Sequence, residues 1–126
     1  MGLTKYHFPK QEKLTSKKKI EGLFKKGSSF YLGDFQVRHL KAAIPEPNQI
    51  LISVPKRNFK RAVDRNLLKR RIREAYRLNK HLIDNNSESI HLSIGFIYLS
   101  KQILTFQDIQ TQLIKCLERL GTINAE

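Results

Sequence analysis

Residues 56–80, KRNFKRAVDRNLLKRRIREAYRLNK, constrain this chain more than any other stretch. They hold eleven Lys and Arg against two acids, Asp64 and Glu74, a net +9 out of the chain's formal +13. At about 100° per residue, Asn66, Lys69, Arg70, Arg73, Arg77 and Lys80 share one helical face. Leu68, Ile72, Ala75, Tyr76 and Ile83 line another, an apolar stripe wide enough to dock on a core. The spacing predicts a helix that packs through one face and displays a row of cations on the other. A helix that is merely soluble pairs its Lys and Arg with interleaved Glu. This face has no such Glu, so its charges repel one another unless a polyanion neutralises them. A membrane-surface helix would need large apolar residues free to enter lipid, and here the apolar stripe is modest and serves the core. Arg outnumbers Lys, which suits bidentate contact with phosphate. The polyanion these residues point to is nucleic acid, with RNA and DNA both open.

The rest of the chain supplies a scaffold for that helix. Its 126 residues, 40% of them hydrophobic, suit one domain with a proper core. No apolar run approaches the roughly 18 residues of a membrane span. The start, MGLTKYHFPK, lacks the apolar centre of a signal peptide, and Tyr6 stands where a myristoylation signal wants Ser or Thr. A single cysteine, Cys116, excludes an internal disulfide and is expected as a small buried side chain. These features predict a cytoplasmic protein. Residues 1–26 carry net +6 and residues 81–126 carry −2, a charge polarised along the chain as an electrostatic footprint requires.

Residues 1–12 read as a basic tail, residues 13–121 as the domain and residues 122–126 as a second tail. A helix is expected from Thr15 or Ser16, either able to cap it, to Lys26. Ile20, Leu23 and Phe24 form its apolar side, and Gly27 takes the position after its end. Extended structure follows from Phe30 to Ile44, interrupted at Gly33-Asp34. A turn at Pro45-Glu46-Pro47-Asn48 leads to a strand from Gln49 to Val54. The short connection predicts that these two segments pair as an antiparallel hairpin. The basic helix runs to about Leu82, with Asp64 either capping it or sitting in its first turn. A strand is expected from Ser89 to Leu99, where Ile90, Leu92, Ile94, Phe96 and Tyr98 alternate. Thr105 and Asp108 resemble a capping box for a last helix, with Phe106, Ile109, Leu113, Leu117 and Leu120 on its core side and Gly121 as its stop.

No acid–base machinery is legible. His7, His39, His81 and His91 are scattered, and no metal-ligand, paired-carboxylate or nucleophile-elbow spacing occurs. His39 and His91 read as ordinary strand residues.

Arg65-Asn66, Lys69-Arg70 and Arg73-Glu74 reproduce the RN-x-x-KR-x-x-RE pattern of the protein subunit of bacterial ribonuclease P. Ser53-Val54-Pro55-Lys56 and Ala62-Val63 are similar to the strand end and helix start that precede that pattern. Lys13-Leu14, Ile20, Phe24 and Gly27 are similar to the family's first helix. The resemblance runs from about Lys13 to Leu120.

It implies a single α+β domain in a two-layer sandwich. A mixed four-stranded sheet carries the helices, in the order α-β-β-β-α-β-α, with a left-handed βαβ crossover. It further implies an endoribonuclease whose catalytic centre is an RNA subunit holding Mg²⁺, with the protein inactive alone. The expected partners are that catalytic RNA and precursor tRNA, with no membrane and no obligate protein partner. By the same resemblance Lys56, Arg65, Asn66, Lys69, Arg70, Arg73 and Arg77 lie against RNA, and no residue is itself catalytic. Phe24, Phe35 and Arg38 line a groove for the 5′ leader of the precursor. The chain departs from the pattern at Ile20 and Arg38, where aromatic residues are common, and in the loop Arg57-Asn58-Phe59, which lacks the usual Gly. A structural RNA-binding protein, such as a ribosomal protein, shares the charge logic. A DNA reader would mix more Asn, Gln, Ser or Thr among its cations, and only Asn66 qualifies.

Overall fold

The computed structural model describes residues 12–41, 48–83 and 92–125, with side chains described to residue 123. Helix α1 (Lys17–Lys26) begins at Ser16, whose Oγ accepts a hydrogen bond from the Lys19 N–H at 3.3 Å. Gly27 follows it, but in extended conformation (φ −71°, ψ 155°), so the left-handed helix ending expected there does not form. Glycine is needed for another reason. A Cβ at Gly27 would collide with the Leu23 carbonyl oxygen and lie 2.9 Å from the His39 carbonyl oxygen.

The extended segment expected from Phe30 is two strands, β1 (Ser28–Leu32) and β2 (Phe35–Lys41), paired antiparallel. They fold back at Gly33, whose φ of 58° is the left-handed conformation a two-residue hairpin loop requires. The last helix, α3 (Phe106–Ala125), holds this turn. The Asp34 N–H donates to Gln112 Oε1 at 2.7 Å, and Gln112 Nε2 donates to Asp34 Oδ2 at 2.9 Å.

Strand β3 (Gln49–Ser53) does not pair with β2, which corrects the hairpin expected from the short connection. The order across the sheet is β1-β2-β4-β3, with β4 (Leu92–Tyr98) antiparallel to β2 and parallel to β3. Burial explains the insertion. Six of the seven β4 residues are buried, Ser93 and Gly95 among them, so this strand needs neighbours on both edges and cover on both faces. At the start of β3 the buried Asn48 accepts a hydrogen bond from the Leu92 N–H at 2.8 Å, which aligns the parallel pair. Residues 42–47, with most of the expected turn, and 84–91, with His91 and the expected strand start at Ser89, lie outside the described residues, as does His7.

Helix α2 (Ala62–Asn79) makes the crossover from β3 to β4, and a 3-10 turn (Lys80–Leu82) ends it. Helix α3 (Phe106–Ala125) is capped as expected, Thr105 Oγ1 accepting from the Asp108 N–H at 3.2 Å. Gly121 does not stop α3, which runs on to Ala125. A Cβ there would sit 2.8 Å from the Leu82 carbonyl oxygen, so the glycine lets α3 press against the end of α2.

Leu68, Ile72, Ala75 and Tyr76 of α2, with Ile109, Leu113, Leu117 and Leu120 of α3, bury against Phe35, Val37, Ile94 and Phe96 of the sheet. Each of the Leu, Ile, Val and Phe side chains among them contributes about 1.5–3 kcal/mol by leaving water. Helix α1 lies on the opposite face. Its fully buried Leu23 sits over Gly95, with a methyl 3.3 Å from where a Cβ would be, and stands apart from the main core.

Candidate nucleic-acid interface

Helix α2 owes its orientation to its apolar stripe. With Leu68, Ile72, Ala75 and Tyr76 turned to the core, Asn66, Arg70 and Arg73 are exposed and Lys69 is half-buried. Among the described residues, Lys69, Arg70 and Arg73 carry no ion pair with protein. The one acid in this part of the helix, Glu74, is taken by Arg77 through two hydrogen bonds, Nε to Oε1 at 2.8 Å and Nη2 to Oε2 at 2.7 Å. These bonds hold the Glu74 carboxyl below its ordinary pKa and raise that of Arg77. Arg77 is therefore partly neutralised at the edge of the row.

Two further cations are placed differently from the helical-wheel reading. Lys80 is not on the cation face. It is buried, 7% exposed, and its Nζ donates to both oxygens of Glu12 at 3.1 Å. The helix gives way to a 3-10 turn at this residue, which rotates it off the α-helical face. Arg71, on the flank toward α3, donates from Nη1 to the Leu104 carbonyl oxygen at 2.6 Å and so braces the approach to that helix.

Arg65 organises the entry to α2. Its Nη1 donates to the carbonyl oxygens of Phe59 (2.6 Å) and Lys60 (3.0 Å). The ring of Phe59 packs against Tyr98, centroids 6.0 Å apart. This pins a loop that exposes Lys56, Arg57, Lys60 and Arg61. Arg61 caps the helix without a side-chain hydrogen bond, and Asp64, now placed in the first turn, is the only acid there. Four exposed cations beside the positive end of a helix dipole make a strongly anion-seeking corner.

On the far face of the sheet, α1 crosses β4 and β2 but not the whole surface. Strand register builds one row from Ser29, Arg38, Gly95 and Leu51, which α1 meets through Leu23 and Phe24. In the next row Tyr31 is exposed, while Gln36, Ile97 and Ser53 are half-buried. Phe24 is 42% exposed, so it borders this open face rather than filling the core. Arg38 lies against it, its guanidinium carbon 5.2 Å from the ring centroid and its Nη2 donating to the Phe24 carbonyl oxygen at 2.8 Å. The Arg38 Nε is buried without a hydrogen-bond partner. Phe35 is fully buried on the other side of the sheet, edge-on to Tyr98 at 5.7 Å, so it cannot line the groove. Tyr31, 67% exposed, was not among the residues the sequence singled out. Its alternation with the buried Phe30 was the available signal.

Among the described residues no three His, Cys, Asp or Glu side chains gather as metal ligands. His81 is exposed, and His39 is half-buried with its ring tilted on Phe30.

The Ribonuclease P family model matches residues 8–121. The chain is similar to the ribonuclease P protein component of Porphyromonas gingivalis, 33% identical over 116 residues, 89% of this chain and 85% of that one. It is also similar to the component of Dictyoglomus turgidum, 32% identical over 123 residues and 98% of each. Among solved structures, the RNase P protein of Thermotoga maritima superposes with a TM-score of 0.70 at 26% identity, covering 86% of this chain and 96% of that one. The Staphylococcus aureus RNase P protein shares the fold, with a TM-score of 0.72 at 24% identity, covering 91% and 99%. With the family matched over nearly its whole length, and with the same mixed sheet and helices, this chain belongs to the ribonuclease P protein family.

Proposed function

We propose that the protein is the protein subunit of a ribonuclease P ribonucleoprotein, which cuts the 5′ leader from precursor tRNA in the cytoplasm. The observation that carries this reading is the run of Lys69, Arg70 and Arg73 along one face of α2 with no protein partner for their charge among the described residues. A catalytic RNA fits that face, because its phosphates neutralise the row. Asn66 adds a neutral donor and acceptor at the same surface. Lys56 and the other cations before α2 extend the contact, while Arg65 fixes the loop that carries them. Arg77 contributes less, since Glu74 already holds it.

The single-stranded leader lies on the open sheet face beside α1. Phe24 offers a ring to a base, and Arg38 offers a cation whose plane is already steadied by Phe24. Single-stranded sites work by such stacking and backbone charge, about 1–3 kcal/mol per stacked base. We assign the Mg²⁺ ions to the RNA subunit, as membership of the ribonuclease P family implies. When bound there, Mg²⁺ would activate a water for attack on the phosphodiester. The protein binds and orients, and does not itself move a proton.

The test is cleavage of precursor tRNA by the protein alone, by a bacterial ribonuclease P RNA alone, and by both together. The expected result is no cleavage by the protein and faster, lower-Mg²⁺ cleavage by the pair than by the RNA. Cleavage by purified protein alone, or no gain on adding it to the RNA, contradicts the reading.

A further inference from the structure

We propose that Tyr31 forms a further nucleotide subsite at the outer edge of the open sheet face, where its ring stacks on a base of the leader. The proposal rests on the reading of that face as the leader's path. Tyr31 is 67% exposed, while its neighbour Phe30 is buried in the core. The exposed Tyr31 ring has a face available for a base to stack on. The register places it at the outer end of the row that continues through the half-buried Gln36, Ile97 and Ser53. From Ser53 the chain runs through Pro55 to Lys56 and the cationic entry of α2.

Crossing from β3 to β1 takes three strand spacings, about 14 Å at roughly 4.8 Å each. A single strand that leaves the α2 corner therefore meets the middle of the sheet first and Tyr31 last. Arg38 is a diagonal neighbour of Tyr31 on the same face, about 7–8 Å away and within reach of long side chains. Ring and cation together offer a base its stacking partner and its phosphate a counter-charge. A nucleobase suits this pair better than a protein side chain does, because the chain carries net +13 and attracts polyanions.

The test uses the reconstituted holoenzyme and a series of precursor tRNAs whose leaders lengthen one nucleotide at a time, with mature tRNA as the reference. Binding is measured for the parent protein, Tyr31→Ala and Tyr31→Phe, and melts of the free proteins check folding. The expected result is that Tyr31→Ala matches the parent on mature tRNA and the shortest leaders. Beyond a threshold length it should bind about tenfold more weakly. Tyr31→Phe should keep the parent's affinity throughout, because the ring and not the hydroxyl stacks. If the parent itself shows no dependence on leader length, the leader-path reading fails, and this proposal with it. If the parent shows that dependence and Tyr31→Ala shows it unchanged, only the Tyr31 subsite is overturned. Equal weakening at every length, mature tRNA included, overturns it too, as does a Tyr31→Phe variant no better than Tyr31→Ala. A change of oligomeric state on Tyr31→Ala, read by sedimentation, would assign the ring to an interface between copies and overturn the subsite.

Discussion

Cys116 and His39 show how burial sets single-residue chemistry in this domain. The Cys116 thiol is fully buried on α3, and desolvation pushes its pKa up to about 12 despite the opposing charge of Arg119. It stays protonated and inert in the folded protein. Alkylation by iodoacetamide at neutral pH should therefore follow global unfolding, and rapid labelling of native protein would contradict the placement. His39 packs against Phe30, over whose ring Arg119 lies; burial first and the Arg119 charge second lower its pKa below the ordinary 6.5. The unfolded chain then takes up a proton before the folded one does as pH falls, so stability is full above the unfolded pKa and declines below it. The denaturation midpoint should drop as pH falls below the ordinary histidine range, and drop less in His39→Gln. The Glu74 carboxyl is also lowered, through Arg77, and its loss has the same sign but in a more acid window. A pH profile identical in parent and His39→Gln would show that His39 does not carry this dependence. At this scale the sequence was legible where the environment is local. Cys116 in an apolar stripe reads as buried, but nothing near His39 in sequence announces Arg119. Likewise Lys80 fits the cation row on a helical wheel, and only the fold reveals Glu12, 68 positions away, as its partner.

Helix α2 carries the two faces that its period describes, and substitutions should separate them. Ile72→Ala leaves a cavity under a fully buried side chain and should cost about 2–5 kcal/mol of stability. Arg70→Ala and Arg73→Ala truncate exposed side chains that have no ion-pair partner among the described residues. Both should leave the melting temperature close to the parent's while weakening RNA binding. Comparable destabilisation by all three, in paired melts and titrations, would mean that the helix is rotated from the placement described. Helix α3 offers a sharper case at Gly121. Alanine is the better helix former by about 1 kcal/mol, so propensity alone predicts that Gly121→Ala stabilises. The close Leu82 carbonyl oxygen, 2.8 Å from the added Cβ, predicts the opposite. Chemical denaturation decides the sign, and a stabilised variant would show that the two helices part easily. Element identity was readable from apolar period and caps, as at Ser16 and Thr105. Strand neighbours were not, because β2 and β3 are adjacent in the chain yet separated by β4, a choice made by burial of the whole sheet. Gly27 does follow the end of α1 as its position suggested, whereas Gly121, expected as a stop, lies inside α3 and permits its close approach to the end of α2.

The whole molecule divides its labour between a buried layer and two exposed surfaces. One layer, α2 and α3 on the sheet, turns the charge of residues 56–80 outward. The second surface exists because α1 covers only part of the opposite sheet face, bounded by Phe24, Arg38 and Tyr31. The cationic surface was plain in the sequence, since charge density and the absence of interleaved acids need no tertiary information. The open face was half legible. Phe24 and Arg38 were anticipated there, but Phe35 belongs to the core and Tyr31 was passed over, because the side of a strand that stays uncovered depends on where a distant helix lies. The central claim is that the α2 cation row neutralises phosphates of the catalytic RNA. It is tested most directly by the salt dependence of protein–RNA affinity, for the parent and for the variant carrying both Arg70→Ala and Arg73→Ala. Removing one cation from a phosphate should lower the magnitude of the slope of log affinity against log salt by about 0.7–1. The double variant should therefore show a slope shallower by about 1.5–2 with its fold intact. An unchanged slope and affinity in the folded double variant would contradict the claim.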